Sequence, residues 1–168
     1  MLELLVVLAV LSMALVLVMP SLGSMARSQT QEELQRISRV IRMVRNEAVL
    51  AGRRHHIEFD LVNNSYAIAY EDAEMGFVEY ERPRSLRPHQ LPDTLRLVEL
   101  QPAGIGSTPI RDRVVEILVD YSGFMDPFTL LLREDKALHA LRVAGLSGRI
   151  EMASGDEFNP PKFPEERR

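Results

Sequence analysis

The sequence contains no cysteine and no tryptophan. The first absence excludes disulfides, thiolate metal sites and a cysteine nucleophile. It does not fix the compartment, because exported proteins also exist without disulfides. Lysine is nearly missing: of 20 basic residues only Lys136 and Lys162 are lysine, which leaves 18 arginines. Arginine codons are GC-rich, so the skew is first of all a genomic signature. No Lys or Arg precedes Arg27. With 24 acidic residues the formal net charge is −4, so the molecule as a whole exerts no strong pull on nucleic acid. There is no Gly-rich phosphate loop, nucleophile elbow or paired catalytic signature. Nothing here predicts an enzyme or a cofactor. At 168 residues the chain has room for one domain and an appendage.

What the sequence does have begins at its start. Leu4 to Met19 is apolar except for Ser12. A membrane span needs roughly 20 such residues, and Leu22 and Met25 extend the apolar character. A secretory signal peptide would open with a basic segment, but Glu3 occupies that place. A carboxylate inside a bilayer is costly and usually marks function. On position alone, Glu3 either has such a role or lies at the helix end and reaches interfacial water. Pro20 removes a backbone donor, so it marks either a kink or the exit of the span.

From Ser28 to Ala51 the period is helical. Leu34, Ile37, Ile41, Val44, Ala48 and Ala51 form one apolar stripe, and Gly52 is placed to cap the helix. The stripe predicts packing on the rest of the chain. Arg36, Arg39, Arg42 and Arg45 read as a solvated face, since Glu32, Glu33 and Glu47 are interleaved with them.

After Arg53 the period falls to two. Ile57, Phe59 and Leu61, then Tyr66, Ile68 and Tyr70, flank the turn Asn63-Asn64-Ser65 and predict a hairpin. A polar, proline-bearing stretch from Glu71 to Pro92 reads as loop, with a short strand near Phe77–Tyr80. Further strands are predicted over Thr94–Leu100, Val114–Tyr121, Phe128–Arg133, Leu138–Val143 and Arg149–Met152. About seven strands imply an antiparallel sandwich. His55 and His56 are adjacent on a strand and point to opposite faces, so they do not predict a shared metal. Asp120, Asp126, Glu134 and Asp135 lack a calcium-loop spacing.

The run Leu2-Glu3-Leu4-Leu5-Val6-Val7-Leu8-Ala9-Val10-Leu11, with Pro20 seventeen residues after Glu3, resembles the N-terminus of the type IV pilin and type II secretion pseudopilin superfamily. In the head, three pieces resemble the H-type minor pseudopilins of type II secretion and the related FimT pilins. These are Arg53-Arg54-His55-His56-Ile57-Glu58-Phe59, Ile117-Leu118-Val119-Asp120-Tyr121-Ser122-Gly123 and Leu146-Ser147-Gly148-Arg149-Ile150. The resemblance implies an α+β fold: a long N-terminal helix, membrane-spanning in its first half, packed on a small antiparallel β-sandwich-like head.

It further implies a transmembrane, fibre-core half-helix over 1–26 and an amphipathic half over 27–52. A β-rich head over 53–152 and a flexible tail over 153–168 complete the expected organisation. Glu3 and Pro20 would serve subunit assembly, and Leu34, Ile37, Ile41, Val44 and Ala48 would seat the helix on the head. The implied partners are other pseudopilin subunits, the inner membrane and, if the start lies upstream, the prepilin peptidase. The implied location is the bacterial inner membrane, crossed once, with the head in the periplasm. Aligned on Glu3, the family's basic leader, cleavage-site Gly and processed aromatic residue all fall upstream of Met1. The resemblance therefore implies that the start lies upstream of Met1, that the sequence is trimmed, or that the chain is not processed, and it favours the first two. Some FimT relatives bind DNA through Gly-Arg-x-Arg. Here the run is Gly148-Arg149-Ile150-Glu151, and the carboxylate predicts against DNA. Other readings of the same features are a type IV pilus minor pilin and a membrane-anchored β-domain.

Overall fold

A computed structural model describes residues 7, 29–80, 86–103, 107–156 and 158–162. Glu3, Pro20 and all of the apolar run except Val7 lie outside these residues, as do 81–85, 104–106 and the end of the tail. The chain divides into two compact units, Met1–Leu34 and Gln35–Arg168, where the sequence predicts a division after Ala26. Among the described residues no helix is long and apolar enough to cross a membrane.

Residues 29–51 are helical, here called α1. Within the second unit the buried positions of α1 are Ile37, Ser38, Val40, Ile41, Val44 and Ala48. Leu34, which ends the first unit, is buried as well. Ala51 departs from the predicted stripe and is exposed. It is the last helical residue before the chain turns away at Gly52, whose φ of 62° is left-handed.

The head is two antiparallel sheets. The first contains β1 (His55–Asp60), β2 (Ser65–Asp72), β3 (Gly76–Glu79), β4 (His89–Gln90) and β6 (Val114–Val119), in the order β3-β2-β1-β6 with β4 also on β2. The second contains β5 (Arg96–Pro102), β7 (Phe128–Glu134), β8 (Ala137–Val143) and β9 (Ile150–Asp156), in the order β5-β7-β8-β9. Alternation decides which side chains face inward. Ile57 and Phe59 of β1 and Phe128, Leu130 and Leu132 of β7 are all buried. The Phe59 and Phe128 rings meet across the two sheets at 5.8 Å, within the range of favourable aromatic contact.

Asn64 ties the sheets together through polar bonds. It adopts φ 58° at the β1–β2 turn, as asparagine tolerates. Its side-chain amide donates to the Leu95 carbonyl at 2.8 Å, and its Oδ1 accepts from the Leu97 N–H at 2.8 Å. A turn of the first sheet is thus fixed to the start of β5 in the second. Four aspartates close turns by accepting backbone N–H groups: Asp60, Asp72, Asp120 and Asp156. Hydrogen bonds favour the charged carboxylate and hold all of these but Asp156 below the ordinary range: at Asp120 the Ser122 hydroxyl, donating at 2.6 Å, acts first and the N–H groups second, and at Asp60 and Asp72 the backbone N–H groups lead.

Two differences from the sequence reading have physical causes. β4 escaped it because two residues carry no period. β9 continues past Met152 to Asp156, because Ala153-Ser154-Gly155-Asp156 offers little hydrophobic signal yet pairs with β8 up to Ala137↔Asp156. The chain then folds back, with the Asp156 N–H donating to the Asn159 carbonyl at 3.0 Å.

β1 also buries a titratable group. The carbonyl of Arg53 can only accept, so His55 Nδ1 carries the proton at 3.1 Å, and Nε2 accepts from the Tyr80 hydroxyl at 2.6 Å. Burial lowers the His55 pKa, opposed in part by the Arg53 carbonyl. The folded state therefore holds a neutral imidazole where the unfolded chain protonates near 6.5. Between the two values the unfolded state binds more protons. Stability is full above about pH 6.5 and falls as pH drops toward the folded-state pKa. His55→Gln should flatten that slope, read as the difference in urea midpoint between about pH 7.5 and 5.5. Separately, Phe59→Ala should cost about 3–5 kcal/mol, read from the same midpoint at constant m-value.

Candidate functional site

An arginine every third residue does not make one helix face. Each step of three falls about 60° short of a full turn, so three steps rotate the side chain by roughly half a turn. Arg36 and Arg45 therefore leave α1 on opposite flanks, although they belong to one row in the sequence. Arg36, Arg39 and Arg42 are exposed, while Arg45 is half-buried. The expectation of a solvated arginine face fails at Arg45.

Arg45 reaches into the head. Its Nε donates to the Gly123 carbonyl at 2.7 Å, Nη1 to that of Ser147 at 3.1 Å and Nη2 to that of Leu146 at 3.2 Å. A guanidinium suits this task because its donors are fixed in a planar fork. The acceptors are held in place by their own loops. In the β6–β7 turn, Asp120 Oδ1 accepts from the Ser122 N–H at 2.8 Å and from the Phe124 N–H at 3.0 Å. In the β8–β9 loop, the Ala144 N–H donates to the Arg149 carbonyl and the Gly148 N–H to that of Ala144, at 2.9 and 2.8 Å. Gly148 sits at φ 61°, and a Cβ there would fall 1.2 Å from Arg45 Nη1. Only glycine leaves space for the guanidinium.

Two of the head pieces singled out in the sequence, Ile117–Gly123 and Leu146–Ile150, thus meet at one arginine. The third surrounds the His55 cluster. Arg53 lies over the Tyr70 ring, 3.9 Å from its centre, and Arg54 pairs with Glu71.

The opposite flank of α1 opens into a pocket of about 790 Å³ between the helix and the β2–β4 corner. Arg36 and Arg39 come from the helix, and Arg87 and His89 from the chain entering β4. Arg36 Nη1 lies 3.1 Å from the His89 ring nitrogens. Tyr66 packs against His89 at 5.3 Å between ring centres.

Of the residues predicted to seat the helix, Ile37, Ile41, Val44 and Ala48 are at most 1 % exposed. The sequence reading missed Val40, buried beside them, and Arg45, whose polarity hid its role. It also missed the basic pocket, since Arg87 and His89 are distant from α1 in sequence. Among the described residues no group of three or more His, Asp or Glu side chains is arranged to hold a metal. Asp120, one of the acids considered for calcium, is engaged as a turn cap.

No protein-family model matches the sequence, and no curated protein matches it. Among solved structures the chain is similar to two of the minor pseudopilin EpsH from the type II secretion system of Vibrio cholerae. One aligns with a TM-score of 0.63 at 16 % identity, covering 74 % of this chain and 95 % of that one. The other aligns with a TM-score of 0.61 at 15 % identity, covering 82 % and 99 %. At such identity the likeness is one of fold.

Removing the guanidinium takes a charged donor from three carbonyls, of which the Gly123 carbonyl is part-buried and those of Leu146 and Ser147 are open to water. Arg45→Ala should cost about 1.5–3 kcal/mol, and Arg45→Lys should recover little, because one ammonium cannot serve the same fork of acceptors. Gly148→Ala should destabilise by displacing Arg45. In a double-mutant cycle the two changes should couple by about 1 kcal/mol or more, whereas additive costs would mean that Gly148 acts independently of Arg45.

Proposed function

We propose that this chain is a minor pseudopilin, a structural subunit of a type II secretion pseudopilus that serves protein export across the bacterial envelope. The observation that carries the reading is the likeness to EpsH, which extends over 95 % or more of the matched chains. The pilin-like N-terminal run supports it independently, because the fold comparison rests on shape and that run on residue identity.

On this reading residues 1–26 cross the inner membrane once and enter the fibre core, and the head lies in the periplasm. Glu3 sets register. A carboxylate in a low-dielectric core is costly alone and stabilised by a neighbour's N-terminal amine, so a slipped subunit is penalised. Such an amine requires cleavage of an upstream leader by the prepilin peptidase. Pro20 breaks the helix ladder where the span gives way to the amphipathic part. Ile37, Ile41, Val44 and Ala48 seat that part on the head, with Arg45 as the polar lock. Leu34 falls in the other compact unit, so the proposed seat is confined to those four.

A DNA-binding role is disfavoured by the closing strand. Glu151 pairs with Arg149 at 2.8 Å and lies 3.7 Å from Arg142. A carboxylate between the two arginines neutralises the charge that a phosphate would need.

The test is Glu3→Ala in cells that make the pseudopilus. The sedimentable fibre fraction should fall at least about tenfold, as expected for loss of a buried ion pair, while the melting temperature of the chain stays unchanged. Normal assembly of the variant would sink the role of Glu3. The mass of the N-terminal peptide from native membranes should show a methylated aromatic residue two positions upstream of Met1.

A further inference from the structure

We infer that the free edge of β6 is a binding surface, at which an extended basic segment of a partner protein adds a strand to the first sheet. This inference goes beyond the fibre reading and does not depend on it. β6 ends its sheet, and among the described residues only β1 pairs with it along its length. The Leu61 N–H donates to the Arg113 carbonyl at 3.4 Å, so Arg113, Val115 and Ile117 turn their backbone groups toward β1. In an antiparallel pair the intervening residues turn theirs away. Val114 and Glu116 therefore present N–H and C=O groups outward, and Leu118 its N–H. The edge closes just beyond, where Val119 bridges to Met125.

Natural edges are blunted by charges, Lys above all, by Pro or by bulges. β6 has neither Lys nor Pro, and its register with β1 runs without a break. Ile117 and Val119 enter the core, while Val114 and Leu118 are 44 % and 43 % exposed on the other face. Between these two stands Glu116, the one charge in the strand. A strand laid along this edge gains main-chain hydrogen bonds, and its alternate side chains meet Val114, Glu116 and Leu118.

Charge decides the occupant. Glu116 lies directly opposite Glu58 of β1. Its neighbours Val115 and Ile117 exchange the ladder bonds, so Glu58↔Glu116 is a pair without them, the type in which side chains come closest. Two carboxylates there repel each other. An Arg or Lys of the incoming strand, placed opposite Glu116, relieves that repulsion and forms charge-assisted hydrogen bonds. A second copy of this chain fits poorly. Antiparallel pairing of two β6 edges centred on Glu116 sets the two Glu116 side chains against each other, with Glu58 behind each.

The experiment uses the full-length protein in uncharged detergent micelles. The probe is a fluorescein-labelled peptide Thr-Val-Thr-Arg-Thr-Leu-Thr, followed by fluorescence anisotropy. Its Val, Arg and Leu share one face, as Leu118, Glu116 and Val114 do on β6. Saturable binding is expected. N-methylation of the Val, Arg and Leu removes the donors that face β6 and should abolish binding, whereas N-methylation of the last three Thr, whose N–H groups face away, should preserve it. Glu in place of the Arg should weaken binding at least about tenfold, and Glu116→Lys should reverse that preference. Glu74→Lys, in the β2–β3 turn at the far side of the sheet, should change nothing. If circular dichroism shows Glu116→Lys to be unfolded, Glu116→Gln replaces it and should erase the preference. Absence of saturable binding overturns the inference, as does equal binding by the two N-methylated peptides or a preference for Arg that survives in a folded Glu116 variant. So does a disulfide between copies carrying Val114→Cys and copies carrying Leu118→Cys, mixed without peptide, which would place a second copy of the chain on the edge.

Discussion

Arg45 donates to three main-chain carbonyls in two loops, and those loops have different jobs in the head. The β6–β7 turn is one of three connections by which the chain passes between the sheets, and the last of them. The β8–β9 loop precedes the last strand of the second sheet. One guanidinium therefore joins the helix to the last crossing between the sheets and to the closing hairpin. An apolar seat alone would resist sliding of the helix only weakly, because hydrophobic contact is non-directional. The hydrogen bonds add direction. They fix both the rotation of α1 and its height along the head, and the absence of a side chain at Gly148 is a condition for them.

With that rotation fixed, the two flanks of α1 acquire different chemistry. On one side an arginine is consumed by backbone carbonyls. On the other, Arg36 and Arg39 are carried to the β2–β4 corner, where Tyr66, Arg87 and His89 complete a basic concavity. The drift of a three-residue spacing around a helix of 3.6 residues per turn accounts for the difference. Asn64 acts on the head as Arg45 acts on the helix. Its amide binds the backbone around Leu95 and Leu97 and sets the relation of the sheets, around a core in which Phe59 faces Phe128.

Much of the head was legible in advance. The hairpin of β1 and β2 followed from alternation around Asn63-Asn64-Ser65, and β6, β7 and β8 from their own apolar runs. These strands bury one face, and a half-buried strand writes a period of two into its sequence. β4 and the second half of β9 were not legible, since backbone pairing holds them and leaves no such period. The functional surface was legible only in fragments. The pieces ending in Ser122-Gly123 and Ser147-Gly148 stood out by resemblance, without any sign that both converge on Arg45. Nor did Arg87 and His89 carry any mark of a shared site with residues some fifty positions earlier.

By itself, then, the sequence determined the ingredients that depend on local order: an apolar run opening on a lone carboxylate, an amphipathic helix, strands of period two, and turns where Asp, Asn and Gly occur. These follow from residue spacing, which the chain carries whether or not it is folded. Tertiary structure alone decided which arginine became a lock and which became part of a pocket. That choice rests on where carbonyls and rings from distant loops arrive around the helix, and their arrival is fixed by strand pairing across the head, which no local window of residues contains.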